Sequence, residues 1–430
     1  MPERNRTEIV RERVGAVLRR IEGDPPELRR VFTGVFADDI ASDAERLHGS
    51  DGNGPDSALW GAIVTIKDLL DVRGHPTRAG SLVLGDDPAQ RDAVAVGRLR
   101  DAGALILGHT NMTELAYSGL GLNPHFGTPD NPAMPGHIPG GSTSGGAVSV
   151  ATGAADIAIG SDTGGSLRIP AAFTGTVGFK PTQRTVPRQG CRPLSHTLDS
   201  IGPIARDVAA CEAAWRAMAA VPAGAGTPMR GRLIVARNFG LDGLDDIVAS
   251  GFDALLAGLR RAGLPIVDKP LASLERYKAL PVWHFSAVES RAHYQDEYLR
   301  SPDAFDPRVL RRMQRADEVS AVQYCRTLQA RERLIAAFAE ELGDDFLLMP
   351  TVAMLPPAFD AFRREEDYDR LNLLALRNTS LANVTDGCSL SLPFRYRGHL
   401  LGAMLTAPGG RDLDLLATGR RLEETAPFAR

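Results

Sequence analysis

Between Thr7 and Ile21 the apolar side chains Ile9, Val10, Val14, Val17, Leu18 and Ile21 recur at helical spacing among arginines and glutamates, which predicts an amphipathic helix. A second helix is predicted from Asp38 to Leu47, and the turn residues of Gly49–Pro55 then mark a surface loop. From Trp60 onward the texture changes to short apolar runs alternating with helical patterns. These runs predict a strand over Gly61–Ile66, a helix from Ala93 to Ala102, a strand over Ala104–Leu107, a helix over Ala147–Thr152 and a buried strand at Ile157–Ile159. Such alternation argues an α/β fold with parallel strand pairs, a large mixed sheet covered by helices. Phe346–Met349 reads as the final core strand before Pro350. Patterning thins between Ala209 and Arg333, where Arg311, Arg312 and Arg315 read as solvated helix faces, and residues 209–333 are expected to form a variable cap.

Length and composition narrow the class without deciding it. The 430 residues fit one large α/β domain over 1–430, with the distinctive motifs confined to 61–203. Apolar residues at 43% and charged residues at 24% are ordinary for a folded globular chain. A formal net charge of −4 provides no global attraction to nucleic acid or to an anionic membrane. The cysteines Cys191, Cys211, Cys325 and Cys388 form no C-x-x-C pair, which disfavours a zinc ribbon and suits a reducing cytoplasm. The polar start, Met-Pro-Glu-Arg-Asn-Arg-Thr-Glu, lacks the apolar core of a secretion signal, and no run of apolar residues is long enough to span a bilayer.

Candidate chemistry gathers in two Gly/Ser-rich stretches, Pro139-Gly-Gly-Ser-Thr-Ser-Gly-Gly146 and Gly160-Ser-Asp-Thr-Gly-Gly-Ser-Leu-Arg-Ile-Pro170. They set Ser142 and Ser166 24 positions apart, each beside glycines that let the backbone turn sharply and bring its N–H groups close to a bound group. Upstream, the apolar run from Gly61 ends at Lys67, where burial would disfavour the ammonium and lower its pKa toward that of a usable base. Two serines and a lysine point to acyl transfer by a lysine-based triad. His109, His125, His137 and His196 sit in no G-x-S-x-G elbow, and neither H-E-x-x-H nor a phosphate-cradling glycine motif is present.

These motifs, together with Val64-Thr-Ile-Lys-Asp68, Gly108-His-Thr-Asn-Met-Thr-Glu-Leu-Ala116 and Gly178-Phe-Lys-Pro-Thr182, make the chain resemble the amidase signature family. The resemblance implies that Ser166 is the nucleophile and that Ser142, reached through a cis peptide, relays its proton to Lys67. The backbone N–H groups of Thr163, Gly164, Gly165 and Ser166 are then the natural oxyanion hole. Asp162 and Arg168 flank the nucleophile as an ion pair fixing the loop, and Thr110, Asn111 and Glu114 read as structural support. Tyr117, with Gly141 and Ser142, is a candidate substrate contact, although an aromatic at 117 is equally core packing. Trp283, His284 and Phe285 are candidates for the cap lining.

The implied reaction is hydrolysis of a small carboxamide through a seryl acyl-enzyme, with no metal or organic cofactor. The expected partner is a small-molecule amide rather than nucleic acid or membrane, and a homodimer is compatible with this reading. Two alternatives stay open: the glutaminase subunit of a tRNA-dependent amidotransferase, for which the chain is short, and a catalytically silent binding protein on the same fold. The arginines of the 209–333 segment meet either a substrate carboxylate or solvent.

Overall fold

A computed structural model describes residues 6–47, 57–222, 226, 231–425 and 428; the predicted loop at 49–55 and residues 1–5 of the polar start lie outside them. The strands are β1 (Phe32–Val35), β2 (Ile63–Lys67), β3 (Leu105–Thr110), β4 (Ile157–Asp162), β5 (Val177–Lys180) and β6 (Ser200–Ala205). They continue with β7 (Leu233–Ala236), β8 (Ile266–Lys269), β9 (Phe346–Pro350), β10 (Cys388–Tyr396) and β11 (His399–Ala407). All join one mixed sheet in the order β1-β3-β2-β4-β6-β5-β10-β11-β9-β7-β8. β2 runs parallel to β3 and β4, whereas the stretch from β4 through β6, β5, β10 and β11 to β9 is antiparallel.

The central strands are covered on both faces, so they read as continuous apolar runs rather than as alternating ones. In β4, Ile157 and Ile159 enter the large core that includes Val64, Ile66, Leu99 and Trp215. The intervening Ala158 packs on the opposite face with Ala147, Val150, Leu167 and Ala171. The same alternation in β2 sends Thr65 and Lys67 toward the helix Ser144–Ala151, where the Thr65 and Ser149 hydroxyls meet at 3.0 Å. Lys67 therefore emerges on the face where the first serine loop lies.

The helices foreseen near the N-terminus run over Arg6–Glu22, Ala37–Arg46 and Val94–Asp101. The helix expected over Ala147–Thr152 starts earlier, at Ser144, because its glycines serve close packing as well as turning. A Cβ on Gly145 would lie 2.2 Å from the Val31 carbonyl oxygen. β9 is not the last strand: the β10–β11 hairpin follows it and is inserted between β5 and β9. Residues 209–333 contribute β7 and β8 to the sheet edge and also the helices Trp283–His293 and Pro307–Gln314.

The short helix Arg168–Thr174, which follows the second serine loop, rests directly on β5. A Cβ at Gly178 would come 2.5 Å from the Leu167 carbonyl oxygen and 2.8 Å from Ala171 Cβ. Gly178→Ala is therefore expected to cost about 1–3 kcal/mol by overpacking. Urea denaturation measures this, and an unchanged midpoint would show that the helix seats elsewhere.

Candidate active site

Lys67 closes β2 with its side chain wholly buried. Its Nζ lies 2.7 Å from Ser142 Oγ, 3.1 Å from Ser161 Oγ and 3.4 Å from the Ser161 carbonyl oxygen. Burial drives the Lys67 pKa down to about 7, with Asp162 and Asp199 pulling the other way. The nearby Cys191 thiol, pushed up to about 12 by burial, stays protonated at neutral pH and supplies no opposing charge. The lysine is thus poised between its two charge states near neutrality, which an exposed lysine is not.

The peptide joining Gly141 to Ser142 is cis. Its loop is tied to the 111–119 segment by Gly141 N–H donating to the Gly119 carbonyl at 2.8 Å and Thr113 N–H donating to the Ser142 carbonyl at 3.2 Å. A Cβ on Gly141 would fall 2.6 Å from Gly121 Cα, so only glycine lets these backbones approach. Asn111 braces the same region through its amide to the Arg30 and Gly127 carbonyls at 2.8 and 2.9 Å. Glu114 accepts from Ser81 Oγ at 2.7 Å and from Asp306 N–H at 2.6 Å.

Ser166 sits in the second loop at the floor of a cavity, and its carbonyl accepts from Thr143 N–H at 3.3 Å, which joins the two serine loops. No hydrogen bond links the Ser142 and Ser166 hydroxyls among the described residues. Asp162 and Arg168 form a fully buried fork, with Nη2 to Oδ1 at 2.8 Å and Nε to Oδ2 at 3.1 Å. Burial alone would raise the Asp162 carboxyl; Arg168, followed by Lys180 and Asn383, outweighs it and holds the pKa at about 2. The remaining Arg168 donors meet the Thr379 carbonyl and Asn383 Oδ1, each at 2.8 Å. The fork thus ties the loop to its own scaffold.

The amides of the second loop divide in two. Gly165 N–H donates to Asp162 Oδ1 at 2.8 Å, while the carbonyl of the same peptide, on Gly164, accepts from Thr379 Oγ1 at 2.5 Å and Ser380 Oγ at 3.2 Å. The Gly165 N–H is thereby committed to Asp162 and is not offered to a bound group as sequence reasoning foresaw. Gly164 and Ser166 donate to no other group among the described residues. Thr163 is held from its side chain, Oγ1 donating to Asp199 Oδ1 at 2.5 Å. Burial raises the Asp199 carboxyl to about 6 against this bond and those from Ser195 and Leu194.

Above Ser166 opens a cavity of about 310 Å³, walled by Tyr117, Leu198, Tyr277, Trp283 and Leu376. Burial pushes the Tyr117 phenol above its ordinary range, with Ser286 and Arg312 opposing. Of the three candidates at 283–285, Trp283 lines the cavity; His284 turns to Thr327 Oγ1 at 2.9 Å, and Phe285 is buried in the neighbouring apolar cluster. Arg311 pairs on the surface with Glu365 and Asp369, as read from the sequence, whereas Arg312 and Arg315 line the cavity instead of facing solvent alone. His109 meets the Leu70 carbonyl at 3.0 Å, His125 meets Glu114 at 3.0 Å, and His137 meets the Pro135 carbonyl at 3.1 Å. None of these rings, nor that of His196, hydrogen-bonds to either serine. Among the described residues no group of three or more metal-ligating side chains occurs, and no helix is long and apolar enough to cross a membrane.

A buried lysine beside a serine loop on such a sheet fits a hydrolase of amide C–N bonds, and comparison with known proteins agrees. The family model described as Amidase matches residues 12–416. The 2-amino-5-chloromuconic acid deaminase of Comamonas testosteroni is 35% identical over 85% of this chain and 81% of that protein. The indoleacetamide hydrolase of Pseudomonas syringae pv. syringae is 30% identical over 86% of each. A glutamyl-tRNA(Gln) amidotransferase subunit from Methanothermobacter thermautotrophicus is 30% identical over 96% of this chain and 95% of that protein. A solved amidase structure superimposes with a TM-score of 0.85 at 28% identity, covering 96% of both chains. The chain belongs to the amidase family and hydrolyses amide C–N bonds.

Several residues of the site escaped sequence reasoning. Ser161 lies within the Gly160–Pro170 stretch; the β2–β4 register, which sets Ile66 against Ile159, puts it one residue past the position opposite Lys67, within reach of Nζ. Asp199, Thr379, Ser380 and Asn383 had no local signal. Breaking the Asp162–Arg168 fork with Arg168→Leu leaves a carboxylate buried without its partner. The expected loss is about 3–5 kcal/mol of stability in urea denaturation; a loss no larger than about 1 kcal/mol, as for a surface pair, would contradict the structural role given to it.

Proposed function

We propose that this amidase works through a Ser166 acyl-enzyme, with Lys67 as base and Ser142 as relay. The observation that carries the reading is the 2.7 Å contact between Ser142 Oγ and a wholly buried Lys67 whose pKa lies near 7. A neutral amine has two N–H donors and one lone pair. Ser161 offers a carbonyl and a hydroxyl oxygen for the donors, which leaves the lone pair for the Ser142 O–H. Ser142 Oγ can then draw the proton from Ser166 as the latter attacks the amide carbonyl. That no hydrogen bond joins the Ser142 and Ser166 hydroxyls is compatible with this, since catalytic hydrogen bonds often tighten only with substrate bound.

Attack forms the Ser166 Oγ–C bond and places negative charge on the carbonyl oxygen; in this reading the amides of Gly164 and Ser166, which donate to no other group among the described residues, receive it together with that of Thr163. Collapse breaks the C–N bond, and the leaving nitrogen takes the proton back from Lys67 through Ser142. Water, deprotonated by the same relay, then cleaves the ester to release the carboxylic acid and regenerate Ser166. In this reading Tyr117 walls the acyl pocket, Gly141 shapes the backbone beside the substrate, and residues 209–333 roof the cleft through Trp283 and its neighbours. The four free cysteines fit a reducing cytoplasm as its setting.

A second reading, an ammonia-donating component of a tRNA-dependent amidotransferase, is favoured by the near full-length match to one such protein. That match also removes chain length as an argument against it. Assay of the isolated chain separates the two: robust release of ammonia without a partner supports the free amidase, and activity only on adding a partner supports the amidotransferase.

Lys67→Ala is expected to lower kcat by about 10²–10⁴-fold, and Ser142→Ala to act in the same direction. Ser166→Ala should abolish covalent labelling by a fluorophosphonate. Normal turnover in Lys67→Ala at neutral pH would rule out the assigned base. Because only the unprotonated amine accepts a proton, kcat/KM should rise with pH through about 7 and be lost below it. A profile flat from pH 5 to 9, on the scale where an ordinary lysine titrates near 10.4, would contradict that assignment.

A further inference from the structure

The cavity above Ser166 is lined by Arg312, Arg315 and Arg377 and by no aspartate or glutamate among the described residues. We infer that it selects amides whose far end carries a carboxylate, an inference that rests on the amidohydrolase reading of the same site. Each arginine is held in place but incompletely neutralised. Arg377 gives its hydrogen bonds to neutral acceptors, the carbonyls of Asp242 and Gly240 and Asn378 Oδ1, and makes no ion pair among the described residues. Such acceptors satisfy its N–H groups without cancelling its charge. Arg315 lies 3.7 Å above the Trp283 ring and, among the described residues, meets an acidic group only at 3.8 Å, the solvent-exposed Glu318. Stacking occupies the face of a guanidinium and leaves its edge free for the two oxygens of a carboxylate. Arg312 is more committed, donating to the Tyr117 carbonyl at 2.5 Å and meeting Asp369 at 3.5 Å, so it fixes the wall and adds to the field.

The rest of the lining is mainly apolar and aromatic, with Leu198, Tyr277, Trp283 and Leu376 beside the hydroxyls of Ser118, Ser286 and Ser380 and the Asn372 amide. An acidic group inside such a wall, partly screened from water, interacts more strongly with fixed cations than it would at an open surface. The substrate this shape and charge describe has an amide at one end, a short hydrocarbon body and a carboxylate at the other. An anionic end also orients the molecule, since reversing it would take the carboxylate away from the arginines.

A homologous series of dicarboxylic acid monoamides, from succinamate to adipamate, tests this when each is paired with the neutral amide in which methyl replaces the carboxylate. Calorimetric binding to Ser166→Ala and steady-state hydrolysis by the wild-type chain are both measured. At least one acid is expected to bind about tenfold or more tighter than its neutral partner, with the advantage shrinking as salt is added. Arg315→Gln and, separately, Arg377→Gln should each reduce that acid-to-neutral ratio. Equal or better binding of the neutral amides across the series overturns the inference, as does an equal loss for both classes in each variant. Hydrolysis of neutral amides with no preference for acids would leave the Ser166 mechanism standing and sink only the substrate class. Tight, salt-sensitive binding of an acid without Ser166-dependent hydrolysis would do the reverse.

Discussion

The site depends on keeping one lysine out of water without giving it a dedicated carboxylate. At the end of β2, Lys67 is surrounded by the central core and the serine loops, and its nearest partners are hydroxyl and carbonyl oxygens. An adjacent carboxylate would hold the ammonium charged, whereas open solvent would return it to its ordinary pKa. Asp162, the nearby permanent anion, is instead committed to Arg168 by a buried fork. Desolvation is then the prevailing influence, and the amine is brought down to about 7.

The ion pair that frees Lys67 also shapes the second serine loop. Asp162 takes the Gly165 and Leu167 amides, and Thr379 and Ser380 take the Gly164 carbonyl, so that the loop's outward and inward peptides are sorted from both sides. Gly165 adopts a φ of +136°, and a Cβ there would lie 2.1 Å from Thr379 Oγ1. The glycine is required by conformation and by space alike. A second buried lysine, Lys180, closes the underside by donating to the Pro181 and Gly387 carbonyls at 2.7 Å each; burial, then Arg168, lowers it to about 8. Charge balance beneath the site is therefore spread over groups from β4, β5 and the helix Arg168–Thr174.

The cavity wall is built from other parts of the chain. Tyr117 comes from the segment that braces the first serine loop, while Trp283, Arg312 and Arg315 come from 209–333 and Leu376, Arg377 and Ser380 from the helix Glu365–Val384. That helix does both jobs: Ser380 and Thr379 hold the Ser166 loop, and Leu376 and Arg377 face the cavity one turn earlier. A change in the cavity-facing residues of this helix is mechanically close to the Ser166 loop, and the loop and the pocket share a support.

The sequence by itself determined the α/β class, the strand that delivers Lys67, and the two glycine-flanked serines, because these are local signals. An apolar run ending in a cation and a Gly-Gly-Ser turn keep their meaning whatever packs around them. It did not disclose Ser161 as the lysine's neighbour, Asp199 behind Thr163, Asn383 and Thr379 behind the Ser166 loop, or the β10–β11 hairpin beyond β9. Nor could it separate Arg311, paired at the surface, from Arg312 and Arg315, which line the cavity. Those distinctions arise from strand register and from contacts across as many as 221 positions of chain, as between Asn383 and Asp162. Only the folded chain fixes which neighbours exclude water from a charge, and that exclusion is what brings an ordinary lysine to the edge of neutrality.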